Sequence, residues 1–68
     1  MLKKRSLQLA GHNTSLALEP AFWAVLDEMA AAEGLSLAAL IASIDEERQM
    51  SLLASACRVR ALAWVRSR

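Results

Sequence analysis

The side chains able to make specific polar contacts gather near the N-terminus, as Lys3, Lys4 and Arg5, then Gln8, His12, Asn13, Thr14 and Ser15. Three adjacent cations can neutralise phosphates. The amide, imidazole and hydroxyl groups that follow can both donate and accept. Arg5, Gln8, His12, Asn13, Thr14 and Ser15 therefore form a candidate cluster for a small polar metabolite or anion, repeated at subunit boundaries in an oligomer. Catalysis finds no such support. One histidine and one cysteine, Cys57, offer no assembled nucleophile, base and orienting group, and Ser51 and Ser55 read as a helix cap and helix surface. No metal-ligand spacing occurs and no cofactor is implied. A lone histidine in a turn ordinarily has a structural role or is simply exposed, and Cys57 reads as a small buried hydrophobe.

The elements that would carry these residues follow from periodicity. Leu7 and Leu9 alternate with Ser6 and Gln8, and Leu16 and Leu18 alternate with Ser15 and Ala17, so each run places its leucines on one face. The spacing predicts strands over about residues 6–10 and 14–18. Gly11 to Thr14 supplies turn chemistry between them. A β-hairpin is one arrangement, and two separate short strands are the other.

Pro20 suits the first position of a helix, because the N–H it lacks would be unpaired there, and Glu19 beside it suits the positive helix end. That helix is expected over 20–33. Phe22, Val25, Leu26 and Met29 form its buried stripe, edged by Trp23 and Ala30. Gly34 reads as its stop and Leu35 as the cap contact. Ser36 then caps a second helix, to about residue 47, whose stripe is Leu37, Leu40, Ile41 and Ile44. After a polar break, Ser51 reads as the cap of a third helix over 52–66. This helix carries two apolar lines, one of Leu52, Ala56, Val59 and Ala63, the other of Leu53, Cys57 and Trp64. One line can pack within the chain; the other calls for a neighbouring chain. Trp23 and Trp64 extend apolar stripes and read as core or interface residues.

A single domain over residues 1–68 would bury only about 60% of its unfolded surface. Yet 56% of the residues are hydrophobic, and a single cysteine forbids an internal disulfide. The surplus apolar surface is expected to form a subunit interface, in a dimer or higher homo-oligomer. No apolar run reaches the roughly 18 residues of a membrane span. The residues after Lys3, Lys4 and Arg5 also lack the apolar core of a signal peptide. A cytoplasmic, soluble protein without membrane contact is the expectation.

The net charge of +1 conceals a sorting along the chain. Residues 1–18 carry three bases and no acid, residues 19–47 all seven acids and no base, and residues 48–68 five arginines and no acid. One reading has middle and tail neutralise each other across helix surfaces. The other is an anion-seeking N-terminal face.

A strand joined directly to a helix at a proline, a Gly34-Leu35-Ser36 turn and a second helix beginning "SLAALI" together resemble the ribbon-helix-helix family. Over roughly residues 4–64, "KRSLQLAGHNTSLALEPAFW" is similar to a bacterial branch of small proteins of that family. The resemblance implies a mainly α fold with a short β-ribbon, here with an extra N-terminal strand and a third C-terminal helix. Two chains would pair their ribbon strands and interlock their helices, since one strand alone cannot bury Leu16 and Leu18. It also implies a DNA-binding transcriptional regulator. Lys3, Lys4 and Arg5 would contact phosphates, Ser15 and Ala17 would face the bases, and the helix start at Ser36 and Leu37 would hold a phosphate through backbone N–H groups.

Serine and alanine are weak base readers beside Arg, Lys, Asn and Gln, and Glu19 would repel phosphates. A first strand added outside the ribbon makes a four-stranded dimer sheet approaching 20 Å, against a major groove about 12 Å wide. The rival reading is therefore an oligomer of the same fold that binds a small polar ligand or a partner protein through the Gln8 to Ser15 cluster. A third is an antitoxin-like protein whose C-terminal helix docks on another protein.

Overall fold

A computed structural model describes all residues, 1–68, as a two-stranded antiparallel hairpin laid over three helices. The strands are β1 (Lys3–Leu9) and β2 (His12–Leu18), and the helices are α1 (Pro20–Glu33), α2 (Leu37–Glu47) and α3 (Leu53–Arg66). No helix is long and apolar enough to cross a membrane.

Of the two strand arrangements left open by sequence, the hairpin is the one that forms. Its strands are longer than the alternating leucines indicate, starting at Lys3 and His12 rather than near residues 6 and 14. The reason is the turn. Ala10 (φ 51°) and Gly11 (φ 81°) make a two-residue loop with positive φ at both positions, the geometry that matches the twist of flanking strands. Pairing therefore begins at Leu9–His12 and runs to Lys3–Leu18. His12, Asn13 and Thr14, assigned above to the turn, become paired strand residues.

The register sorts the hairpin into two faces. Lys3, Arg5, Leu7 and Leu9 lie opposite Leu18, Leu16, Thr14 and His12 on the inner face. Leu9, Leu16 and Leu18 are buried there. Leu16 and Leu18 are not buried by their own strand alone: β1 and the helices of the same chain cover them. α2 lies against β1, α3 against β2, and α1 touches both other helices.

α1 buries Trp23, Leu26, Met29 and Ala30, while Phe22 and Val25 are only half-buried. The buried stripe keeps Leu26 and Met29 but is turned by about 60° toward Trp23 and Ala30, expected only at its edge. Most of this helix is apolar, so periodicity alone leaves two overlapping stripes. Trp23 decides between them: its indole Nε1 donates to the Lys3 carbonyl at 2.7 Å, locking the ring under the first strand. Gly34, at φ 68°, ends α1 in the left-handed conformation, and its successor Leu35 donates back to the Ala30 carbonyl.

Ser36 caps α2, its Oγ accepting from the Ala39 N–H at 3.0 Å. Leu40, Ile41 and Ile44 are buried, with Leu37 at the margin. The start of α3 differs from expectation. Leu52, not Ser51, occupies the cap position, and Ser51 instead donates its hydroxyl to the Arg48 carbonyl. Arg48 in turn donates from Nη1 to the Ser51 carbonyl at 2.6 Å and from Nε to Asp45 at 2.6 Å. The serine is spent on closing the loop.

On α3, Cys57 and Ala61 are buried and Leu53 and Trp64 half-buried. The second of the two apolar lines is therefore the inward one. Leu52 and Val59 of the first line remain exposed, at 76% and 63%.

Candidate nucleic-acid interface

The outer face of the hairpin is built by the register. Lys4 sits opposite Ala17, Ser6 opposite Ser15, and Gln8 opposite Asn13. All except Ala17 are exposed, and Ala17 is half-exposed. Strand β1 thus places Lys4 and Gln8 beside Asn13 and Ser15, so the face carries side chains that can hydrogen-bond base edges. It carries no acid. Sequence reasoning considered only β2 when it judged the ribbon to be short of base readers. The signal it missed was the pairing of β1, which depends on where the turn falls.

The hairpin also presents two free backbone edges. In a two-residue hairpin the pair flanking the turn is hydrogen-bonded and pairs alternate from there. Asn13, Ser15 and Ala17 on β2, like Lys4, Ser6 and Gln8 on β1, consequently turn their N–H and C=O groups away from the partner strand.

Arg5 is separated from Lys3 and Lys4. It lies on the inner-face side, half-buried, with Nη1 and Nη2 donating to Asp27 at 3.1 and 3.3 Å and its guanidinium 4.6 Å from the Trp23 ring. Its charge is committed to α1. Lys3 and Lys4 form no ion pair.

The same sorting explains the C-terminal arginines. Arg48 pairs with Asp45, Arg58 with Glu19, Arg60 with Glu47 and Arg68 with Glu28, leaving Arg66 without an acidic partner. Middle and tail neutralise each other, and the N-terminal lysines keep their charge. At Glu19 the hydrogen bonds from Arg58, joined by the backbone N–H, hold the carboxyl below the usual glutamate range.

The polar cluster seen in sequence divides between the faces. Gln8, Asn13 and Ser15 belong to the outer face, and His12 and Thr14 to the inner one. His12, Thr14 and Ser15 border a hollow of about 380 Å³ with Asp45, Arg48 and Leu53. The two charged groups in that hollow already bind each other. No three His, Cys, Asp or Glu side chains come together as a metal site. Cys57 lies fully buried, and desolvation, reinforced by Asp45, pushes its thiol up to about 11.

At the start of α2, Ser36 Oγ satisfies the Ala39 N–H, while the first-turn N–H groups of Leu37 and Ala38 have no intrahelical partner. Ser36 is exposed and Leu37 half-buried.

Neither a curated protein nor a solved structure matches the chain. A protein-family model does, that of the ribbon-helix-helix domain, over residues 2–65. With a strand running into α1 at Pro20, a tight turn at Gly34 and a second helix capped by Ser36, all within the matched span, the chain belongs to the ribbon-helix-helix domain family.

Proposed function

We propose that the protein is a small DNA-binding transcriptional regulator that meets DNA with the outer face of its hairpin. The family commonly includes DNA-binding regulators. The observation that carries the reading here is the Lys4, Ser6, Gln8, Asn13, Ser15 face, polar, free of acids and flanked by the uncommitted charge of Lys3. Two strands about 4.8 Å apart make a ribbon narrow enough for a major groove about 12 Å wide. The hairpin of one chain meets that limit without a partner strand. Lys3 and Lys4 supply phosphate contacts, and the helix start at Ser36 and Leu37, with its unpaired first-turn N–H groups, supplies a further anchor. Gln8 and Asn13 are the base readers, with Ser15 and the Ala17 methyl as minor contacts. Arg5 acts from below, holding the hairpin to α1.

Fluorescence anisotropy with mixed genomic duplexes, followed against salt, tests this. Affinity is expected to fall steeply, with a log–log slope of about −0.9 per phosphate contact. Lys3→Gln with Lys4→Gln should flatten the slope by about two contacts per chain. Gln8→Ala and Asn13→Ala should relax sequence choice with a smaller loss of affinity. Absence of binding at tens of micromolar protein in low salt overturns the reading.

A further inference from the structure

The outer face of the hairpin is unequal along its length. Its cross-strand pairs are Gln8–Asn13 beside the turn, Ser6–Ser15 in the middle and Lys4–Ala17 at the far end. All are of the non-hydrogen-bonded kind, in which Cα atoms lie about 4.5 Å apart and side chains stand closest. Two primary amides therefore sit side by side and exposed, next to a tip made only of Ala10 and Gly11. No hydrogen bond within the chain engages either amide. At the tip nothing larger than a methyl group stands between them and the floor of a groove.

What the face lacks narrows what it can read. A guanine edge offers two acceptors and suits a guanidinium, but Arg5, the only arginine of the hairpin, is turned to the other side and held by Asp27. A cytosine amino group calls for a carboxylate, and the face has none. Serine hydroxyls donate to or accept from any base, so Ser6 and Ser15 discriminate little. Lys4 works with Lys3 on phosphates, and Ala17 opposite it adds only a methyl. An adenine edge sets its N6 donor beside its N7 acceptor, the one pattern that a primary amide matches with both of its groups. One amide saturates one adenine, so two amides call for two. Side chains about 5 Å apart on neighbouring strands reach across one base-pair step of about 3.4 Å.

We infer that the Gln8–Asn13 amide pair selects two adjacent A·T pairs through their major-groove edges, and that this step carries most of the sequence choice of the hairpin. The inference rests on the DNA reading above and adds to it which base is read and where. The serine and lysine pairs follow within about four base-pair steps, since four residues of strand cover about 13 Å. They set position more than sequence. Specificity is thus concentrated at the turn end of the ribbon, and affinity at the opposite end, where the lysines stand.

Selection of bound duplexes from a randomised pool, followed by fluorescence anisotropy on the recovered site, tests this with the full chain. The site should contain two adjacent A·T pairs, and changing either to G·C should weaken binding about tenfold or more. 7-Deazaadenine, which lacks the N7 acceptor, should weaken binding at the same two positions. Inosine–cytosine pairs keep an A·T-like minor groove but show a guanine-like major-groove edge, so they should bind as poorly as G·C. Gln8→Arg should move the preference at one of the two pairs from A·T to G·C, with circular dichroism confirming the fold. Asn13→Arg repeats the measurement at the second pair should Gln8→Arg fail to fold. A recovered site without adjacent A·T pairs overturns the inference and leaves the DNA reading standing. So does a site at which inosine–cytosine pairs bind as well as A·T, because the minor groove or duplex shape then makes the choice. An unaltered preference in folded Gln8→Arg and Asn13→Arg overturns it too. Failure to bind any duplex at tens of micromolar protein overturns the DNA reading itself, and this inference with it.

Discussion

Arg58, near the middle of α3, grips Glu19 at two points: Nε and Nη2 donate to the two carboxylate oxygens at 2.9 and 3.1 Å. Thirty-nine positions separate the pair in sequence, and Glu19 is the joint between β2 and α1. One planar guanidinium therefore ties the last helix to the corner where the ribbon becomes helix. The same guanidinium lies 5.8 Å from the Phe22 ring.

Acid should loosen that joint. Glu19 has a lowered folded-state pKa, chiefly through the Arg58 hydrogen bond, so its contribution is present above the ordinary glutamate value of about 4.3. It is lost as pH falls through the lower, folded value. Glu19→Gln should melt below the wild type at pH 7, and the gap should close toward pH 3. Thermal melts of both proteins across that range check it, and a gap independent of pH would contradict the assignment.

The hairpin turn can be improved. Ala10 holds φ at 51°, a left-handed conformation that costs an alanine about 1 kcal/mol and an asparagine less. Ala10→Asn should stabilise the protein by about 0.5–1 kcal/mol in urea denaturation. Gly11→Ala, at φ 81°, should destabilise it by at least as much despite open space around a Cβ there.

The two tryptophans should differ sharply. Trp23 is 1% exposed and hydrogen-bonded to the Lys3 carbonyl, so Trp23→Ala is expected to cost about 3–5 kcal/mol. For a chain of this size that is a large part of a total of about 3–10 kcal/mol. Trp64 is half-buried, with Arg68 lying 4.5 Å from its ring, and Trp64→Ala should cost about 1–2 kcal/mol. Urea denaturation of both variants compares them directly. Equal losses would mean that the indole of Trp23 does not anchor β1.

Cys57 should be inert in the folded protein. Its thiol is fully buried and pushed up to about 11, mainly by desolvation, so little thiolate exists at neutral pH and none is accessible. Reaction with a disulfide reagent at pH 8 should proceed only as fast as the protein opens, and denaturant should accelerate it by orders of magnitude. Stability should hold below the ordinary thiol value of about 8.5 and decline as pH rises from there toward 11, because the unfolded chain ionises first.

Local chemistry determined a good deal from sequence alone. Pro20, Gly34 and Ser36 bracket α1 and open α2, because a missing N–H, a left-handed φ and a hydroxyl acceptor act within one turn of the residue that supplies them. The leucine alternation located both strands for the same reason. Tertiary structure decided whatever depended on residues brought from elsewhere. Which side of apolar α1 turns inward was settled by Trp23 reaching the Lys3 carbonyl, and the fate of Ser51 by Arg48 folding back on its loop. Only the two-residue turn at Ala10 and Gly11 decided that Lys4 and Gln8 share a face with Asn13 and Ser15, while His12 and Thr14 take the other. In a strand a shift of one residue exchanges faces, and no side chain carries that register within itself. The pairing of Arg5 with Asp27, which leaves Lys3 and Lys4 as the free cations, likewise required the hairpin to close over α1 before the two charges could meet.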